Sequence, residues 1–265
     1  MLAEAMQRTL IMGILNVTPD SFSDGGQHDG REDAELHASV MVRDGADIID
    51  IGGESTRPGA DKVTEAEELE RTIPVVRAIA GTGRRPVSID TYKASVARAA
   101  CEAGAVIVND VTAMSDPEIV DAAVECGAAY VLTYNRGEAD ASVDAGAEMV
   151  SFLKQAIAIC EDRGLPREHI ILDPGVGFAK SFEQNFQVLR AIDALKSFEM
   201  PMLIGVSRKS FIGKLYGAEV GDRLTGSLAA ALDSVRRGAH MLRVHDVAAH
   251  KQAVQMWETI SNAAD

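Results

Sequence analysis

The chain has 265 residues, 46% of them hydrophobic and 25% charged, so it is long enough to bury one large core or two small ones and is not of disordered composition. A formal net charge of -14 and a pI near 4.9 exclude a broad basic field, and with it non-specific binding to nucleic acid or anionic membrane, while leaving room for a local cationic pocket. Cys101, Cys126 and Cys160 fall in segments that read as helices and show no metal-ligand spacing, which predicts reduced structural thiols and a cytoplasmic protein; no stretch reads as a signal peptide or membrane span.

In chain order, Thr9 to Asn16 reads as a buried strand, followed by a polar loop from Val17 to Gly30 and a helix from Asp33 to Asp44. Asp47 to Gly52 is a second strand. A second polar loop, Glu54-Ser-Thr-Arg-Pro-Gly59, leads to Thr64 and Glu67, whose spacing predicts a capping box opening a helix to about Ala80. Val87 to Asp90 is a third strand, with Thr91 as the expected cap of a helix running to Gly104. Val106 to Asp110 is a fourth, then a helix from about Asp116 to Cys126. Ala129 to Tyr134 is a fifth, then a helix from about Asp144 to Arg163.

Ile170 to Lys180 reads Ile-Ile-Leu-Asp-Pro-Gly-Val-Gly-Phe-Ala-Lys: a short apolar run ends on Asp173 and is stopped at once by Pro174 and Gly175. A continuous apolar run means both faces are covered, as in a parallel strand flanked by helices, so the acid is delivered to a rim. A helix from about Phe182 to Leu195, a strand from Pro201 to Val206, a helix from about Leu224 to Arg237, a strand from His240 to His245 and a helix from about Val247 to Asn262 complete the pattern. Eight alternations with no linker-like break predict a single (β/α)8 barrel domain over residues 1–265. A doubly wound open sheet is the alternative, but Gly13-Ile-Leu-Asn16 is not its glycine-rich turn.

In a barrel the strand ends share one rim. That rim would carry Asn16, Gly52 with the Thr56-Arg57 loop, Asp90, Asn109 and Asp110, Thr133 to Arg136, Asp173, Lys209, and Arg243 with His245. The charges are expected to be sorted, with acids and amide from the third, fourth and sixth strands on one side and cations from the chain's two ends on the other. Such a site suits a ligand with a donor-rich head, such as an aminopyrimidine ring, and an anionic tail. Asp110 also reads as a simple brace for a neighbouring turn.

The stretches Gly13 to Gly26, Gly52 to Ala60, Ser88 to Thr91, Asn109-Asp110, Asp173 to Lys180, Ser207 to Ser210 and Arg243 to Asp246 together resemble dihydropteroate synthase, in that family's order and across essentially the whole chain. The resemblance implies a transferase that joins 6-hydroxymethyl-7,8-dihydropterin pyrophosphate to p-aminobenzoate, releasing pyrophosphate. It implies that Asp90, Asn109, Asp173 and Lys209 hold the pterin, with Asp90, Lys209 and Arg57 as the catalytic groups. Asn16 would ligate Mg2+, and Asn16, Thr56, Arg57, Arg243 and His245 would hold the pyrophosphate. Thr56, Pro58, Phe178 and Ser210 would border the p-aminobenzoate. Homodimerisation through the last helices and sensitivity to sulfonamides are also implied.

One segment departs from the family pattern. After the fifth strand the family commonly shows Met-His-Met-x-Gly, whereas this chain has Thr133-Tyr-Asn-Arg-Gly137. Thr133 removes an apolar wall from the pterin pocket, and Tyr134 or Arg136 is expected to replace it by stacking. Two other readings share the barrel: a pterin-binding methyltransferase domain, which needs neither Arg57 nor the Arg243 and His245 pair, and a non-catalytic pterin-binding paralogue.

Overall fold

A computed structural model describes residues 1–18, 27–54 and 62–263. Eight short parallel strands are formed where apolar runs recur: β1 Leu10–Asn16, β2 Ile48–Gly52, β3 Val87–Asp90, β4 Ile107–Asp110, β5 Ala129–Thr133, β6 Ile170–Asp173, β7 Leu203–Ile204 and β8 Met241–Val244. They pair in the order β6-β5-β4-β3-β2-β1-β8-β7, and a single parallel bridge between Leu172 and Met202 closes β6 onto β7. The result is the (β/α)8 barrel expected from the alternation.

The helices alternate with the strands: α1 Leu2–Ala5 before β1, then α2 Gln27–Arg43, α3 Glu65–Gly81, α4 Ala94–Glu102, α5 Glu118–Cys126, α6 Ala145–Asp162, α7 Phe182–Arg190, α8 Ile192–Leu195, α9 Ser210–Tyr216, α10 Leu224–Arg236 and α11 Val247–Asn262. The capping box is present on α3: the Thr64 side chain accepts from the Glu67 N–H, and the Glu67 carboxylate from that of Thr64. Thr91 does not cap α4 as expected. Its hydroxyl accepts instead from the Lys93 N–H, and the helix begins three residues later, at Ala94. The 182–195 segment breaks at Ala191 into α7 and α8. The seventh strand starts late because Pro201 has no N–H for a ladder and the Met202 N–H goes to the His240 ring; beyond its two residues the chain turns at Arg208, where φ is +56°. That turn opens α9, a helix the sequence pattern does not announce.

Side chains alternate along each strand, and the burial follows that period. Tyr130, Leu132, Ile170 and Leu172 face outward into the layer beneath the helices, whereas Leu10, Met12, Ile48, Ile107, Ala129, Val131, Ile171, Leu203 and Met241 fill the barrel interior. Ala5 of α1 joins this inner cluster, with Met1 and Leu2 packed against it, so an apolar plug shuts the end from which the strands start. No helix among the described residues is long and apolar enough to cross a membrane.

Candidate active site

Counting two residues onward from the apolar plug places a polar layer above it. Asp50 follows Ile48, Asn109 follows Ile107, Thr133 follows Val131, Asp173 follows Ile171 and Arg243 follows Met241. Asp90 joins the same layer, paired in register with Gly52 and Asn109. Six strands thus aim polar side chains at one interior. Gly52 keeps that space open: a Cβ there would lie 3.5 Å from the Cβ of Asp90 and 3.8 Å from Oδ1 of Asn16.

The centre of the layer is Arg243. Its Nε donates to Asp50 Oδ2 at 2.6 Å and its Nη2 to Asp90 Oδ2 at 2.5 Å. Burial works against this charge, but the two carboxylates outweigh it, so the guanidinium pKa is raised. Asn109 Nδ2 also donates to Asp50, at 3.2 Å, leaving Asn109 Oδ1 buried with no partner among the described residues. Burial pushes the Asp90 carboxyl up to about 7, with Arg243 opposing and Asp50 reinforcing the rise. The rim is therefore not sorted by sign. A long β8 side chain reaches across the mouth into the acids of β2 and β3, and the expected separation of acids from cations is corrected on that point.

Asp173 sits at the end of β6, where Oδ1 accepts from the Gly175 N–H at 2.7 Å; burial raises its pKa, against the pull of that bond and of Lys209. Lys209 follows β7, and burial lowers its pKa to about 8, with Asp173 opposing. Its Nζ lies 3.9 Å from the Phe178 ring centroid. Gly177 makes this approach possible: at φ +85° it occupies a conformation that side chains resist, and a Cβ would stand 2.8 Å from Lys209 Cδ. Ser207 Oγ accepts from the His245 N–H and lies 3.1 Å from His245 Nδ1. Ser210 opens α9 and is exposed. Thr56, Arg57 and Pro58 lie outside the described residues.

Asp110 is the brace that its alternative reading expected. It is fully buried, its two oxygens accepting from Thr112 N–H and hydroxyl, Met114 N–H and the Tyr130 hydroxyl. Arg208, beside Lys209, is tied in two places to Asp246 and stays out of the polar layer. Tyr134 does not replace an apolar wall by stacking in the barrel mouth. It follows Thr133 and so points the other way, its ring 5.3 Å from that of Phe152 and its hydroxyl donating to Glu148. Arg136 pairs with the same Glu148.

Two residues that the sequence reading passed over matter here. Asp50, inside the apolar run Ile48-Ile-Asp-Ile51, is fully buried, and a charge within such a run was the available signal. Lys180 is the other. Its Nζ donates to the carbonyls of Tyr134 at 3.0 Å and Phe178 at 3.1 Å and lies 4.2 Å from the Tyr134 ring centroid; burial lowers its pKa to about 7.

The described residues contain no group of three or more His, Cys, Asp or Glu side chains able to enclose a metal ion. The half-buried Asn16 amide at the mouth fits the alternative, a Mg2+ ion held mainly by phosphate oxygens and water with a single protein ligand.

Known proteins share both the sequence and the fold of this chain. The family described as "Pterin binding enzyme" matches residues 12–245. Dihydropteroate synthase of Escherichia coli K12 is 44% identical over 261 residues, covering 96% of this chain and 93% of the relative. The solved Xanthomonas albilineans dihydropteroate synthase with 4-aminobenzoic acid superposes with a TM-score of 0.94 at 43% identity, covering 98% of this chain and 95% of that one. The same organism's enzyme in complex with 7,8-dihydropteroate gives 0.90 at 40% identity, covering 98% and 96%. The chain belongs to the dihydropteroate synthases, transferases of the pterin binding enzyme family.

Proposed function

We propose that the polar layer holds 6-hydroxymethyl-7,8-dihydropterin pyrophosphate and joins its methylene carbon to the amine of p-aminobenzoate, giving 7,8-dihydropteroate and pyrophosphate. The observation that carries this reading is the convergence of Asp90, Asn109, Asp173, Lys209 and Arg243 on one interior, above a floor that is closed. Buried acceptors on β3, β4 and β6 suit the N–H groups of the pterin, and Lys209 suits its carbonyl.

The electron-rich ring delocalises the positive charge that grows as the methylene C–O bond breaks, and the Asp90 carboxylate near the ring would offset it. Arg243, with His245, Thr56 and Arg57, would receive the departing pyrophosphate. Mg2+, held by Asn16 and the pyrophosphate itself, would supply further positive charge to the leaving oxygens. The arylamine needs no strong base, so Phe178, Pro58, Thr56 and Ser210 act by placing it in line with the bond that opens. Sulfonamides that mimic p-aminobenzoate would compete for the same wall.

The polypeptide is read as one domain acting in the cytoplasm, where Cys101, Cys126 and Cys160, all unbonded here, would stay reduced. Met256 and Ile260 of α11, 63% and 68% exposed, support a homodimer through the last helices, checked by a solution mass near twice 28.2 kDa. The experiment that tests the assignment is a dihydropteroate-formation assay of the wild type beside Lys209→Ala and Asp173→Asn. Turnover is expected in the wild type, with a loss of about a hundredfold or more in each variant. Unchanged turnover in both would refute the pocket; binding of the pterin pyrophosphate without turnover would favour the non-catalytic paralogue.

A further inference from the structure

Thr133 is wholly buried, and its hydroxyl has no hydrogen-bond partner among the described residues. It follows Ala129 and Val131, both in the barrel interior, so it points inward at the top of β5, in register with Asp173 of β6. On its other side stands β4, which carries Asn109, whose Oδ1 is also buried and unpartnered. Buried hydroxyls are ordinarily paired, and valine would fill the same volume at no such cost. An unmatched hydroxyl between two ligand-facing groups is therefore a group awaiting a ligand.

The chemistry of the neighbours says which ligand atom it awaits. Around the rim, from β7 to β3, stand Lys209, Asp173, Thr133, Asn109 and Asp90. Around one edge of a 7,8-dihydropterin stand, in order, the carbonyl oxygen, N3–H with the 2-amino group, the lone pair of N1, and N8–H. Lys209 donates and so matches the carbonyl; the Asp173 carboxylate accepts and so matches N3–H and the amine. Asn109 donates from Nδ2 to Asp50, and its unpartnered Oδ1 is an acceptor, as the Asp90 carboxylate is. Those two oxygens suit N8–H, and the unpartnered Thr133 hydroxyl, between Asp173 and Asn109, stands where the N1 lone pair needs a donor.

We propose that Thr133 is a specificity-determining residue of the pterin pocket, its hydroxyl donating to N1 of the bound ring. The inference rests on the pterin reading of Asp90, Asn109, Asp173 and Lys209 above and adds a hydrogen bond where the sequence implied only a lost apolar wall. It predicts a pocket that discriminates between a ring with an acceptor at N1 and one without.

Isothermal titration of the wild type, Thr133→Val and Thr133→Ser with 6-hydroxymethyl-7,8-dihydropterin and with its 1-deaza analogue tests the assignment. The wild type and Thr133→Ser should prefer the parent by about tenfold, and Thr133→Val should lose about that factor for the parent while binding the analogue within about twofold of wild type. Parent affinity unchanged in Thr133→Val overturns the inference and leaves the pterin reading standing. Equal weakening toward both ligands also overturns it, because a structural role would act on both alike. A wild type that binds neither compound removes the pterin reading itself, and the inference with it. Thermal unfolding of Thr133→Val, expected at or above the wild-type midpoint, shows that the variant folds.

Discussion

Substituting Asp90 with asparagine separates what that carboxylate does for the reaction from what it does to the fold. Burial moves its pKa from 3.8 to about 7 despite Arg243 at 2.5 Å. A carboxyl raised on folding stabilises the native state while it is protonated, fully so below its unfolded pKa, and that contribution is lost as pH rises through about 7. At about 1.4 kcal/mol per pH unit over roughly three units, the total is a few kcal/mol, more than half of which falls between pH 5 and pH 8. The asparagine amide cannot titrate. In denaturant unfolding, the stability of Asp90→Asn relative to wild type should therefore rise by roughly 2 to 3 kcal/mol from pH 5 to pH 8, whatever its packing costs at either pH. Dihydropteroate formation should fall steeply in the same variant, a site charge kept at the expense of stability. A difference that stays flat across that range, or shrinks with pH, would refute the electrostatic account of the polar layer.

Gly175→Ala should be severe. At φ +65°, a Cβ would stand 1.9 Å from the Tyr134 carbonyl oxygen, so a loss of about 3 kcal/mol or more is expected by thermal or denaturant unfolding. Tyr130→Phe removes one hydroxyl donor from buried Asp110 and should cost about 1–2 kcal/mol with KM unchanged, since that carboxylate braces a turn. Lys180→Met unties the Tyr134 and Phe178 carbonyls; steady-state kinetics should show KM for p-aminobenzoate raised several-fold with kcat less affected, and an unchanged KM would remove Lys180 from the positioning of Phe178.

What could be read from the sequence was whatever period and punctuation encode. Apolar runs ending on Asp90, Asn109 and Asp173 mark strand ends, and in a barrel strand ends converge, so the sequence alone brings those side chains together. Asp50 escaped because it lies within an apolar run, where a charge interrupts the pattern without ending it. Arg243 was placed on the correct strand but with the wrong neighbours: its partners are 193 and 153 residues away in sequence, and only the reach of its side chain across the mouth decides them. The expectation that Tyr134 stacks in the pocket vacated by Thr133 fails because a period of two sends neighbouring residues to opposite faces. Seven-residue α9 was missed because it is too short to display a helical period.

Among the described residues, the apolar plug shuts the barrel at the start of the strands and leaves the mouth at their other end as the way in. Whatever Asp90, Asp173 and Lys209 hold must enter from above and leave by the same route, so traffic is sequential: spent pyrophosphate and finished product stand in the path of the next arrivals. Unloading then competes with loading, and added pyrophosphate should slow turnover by blocking the passage as well as by mass action.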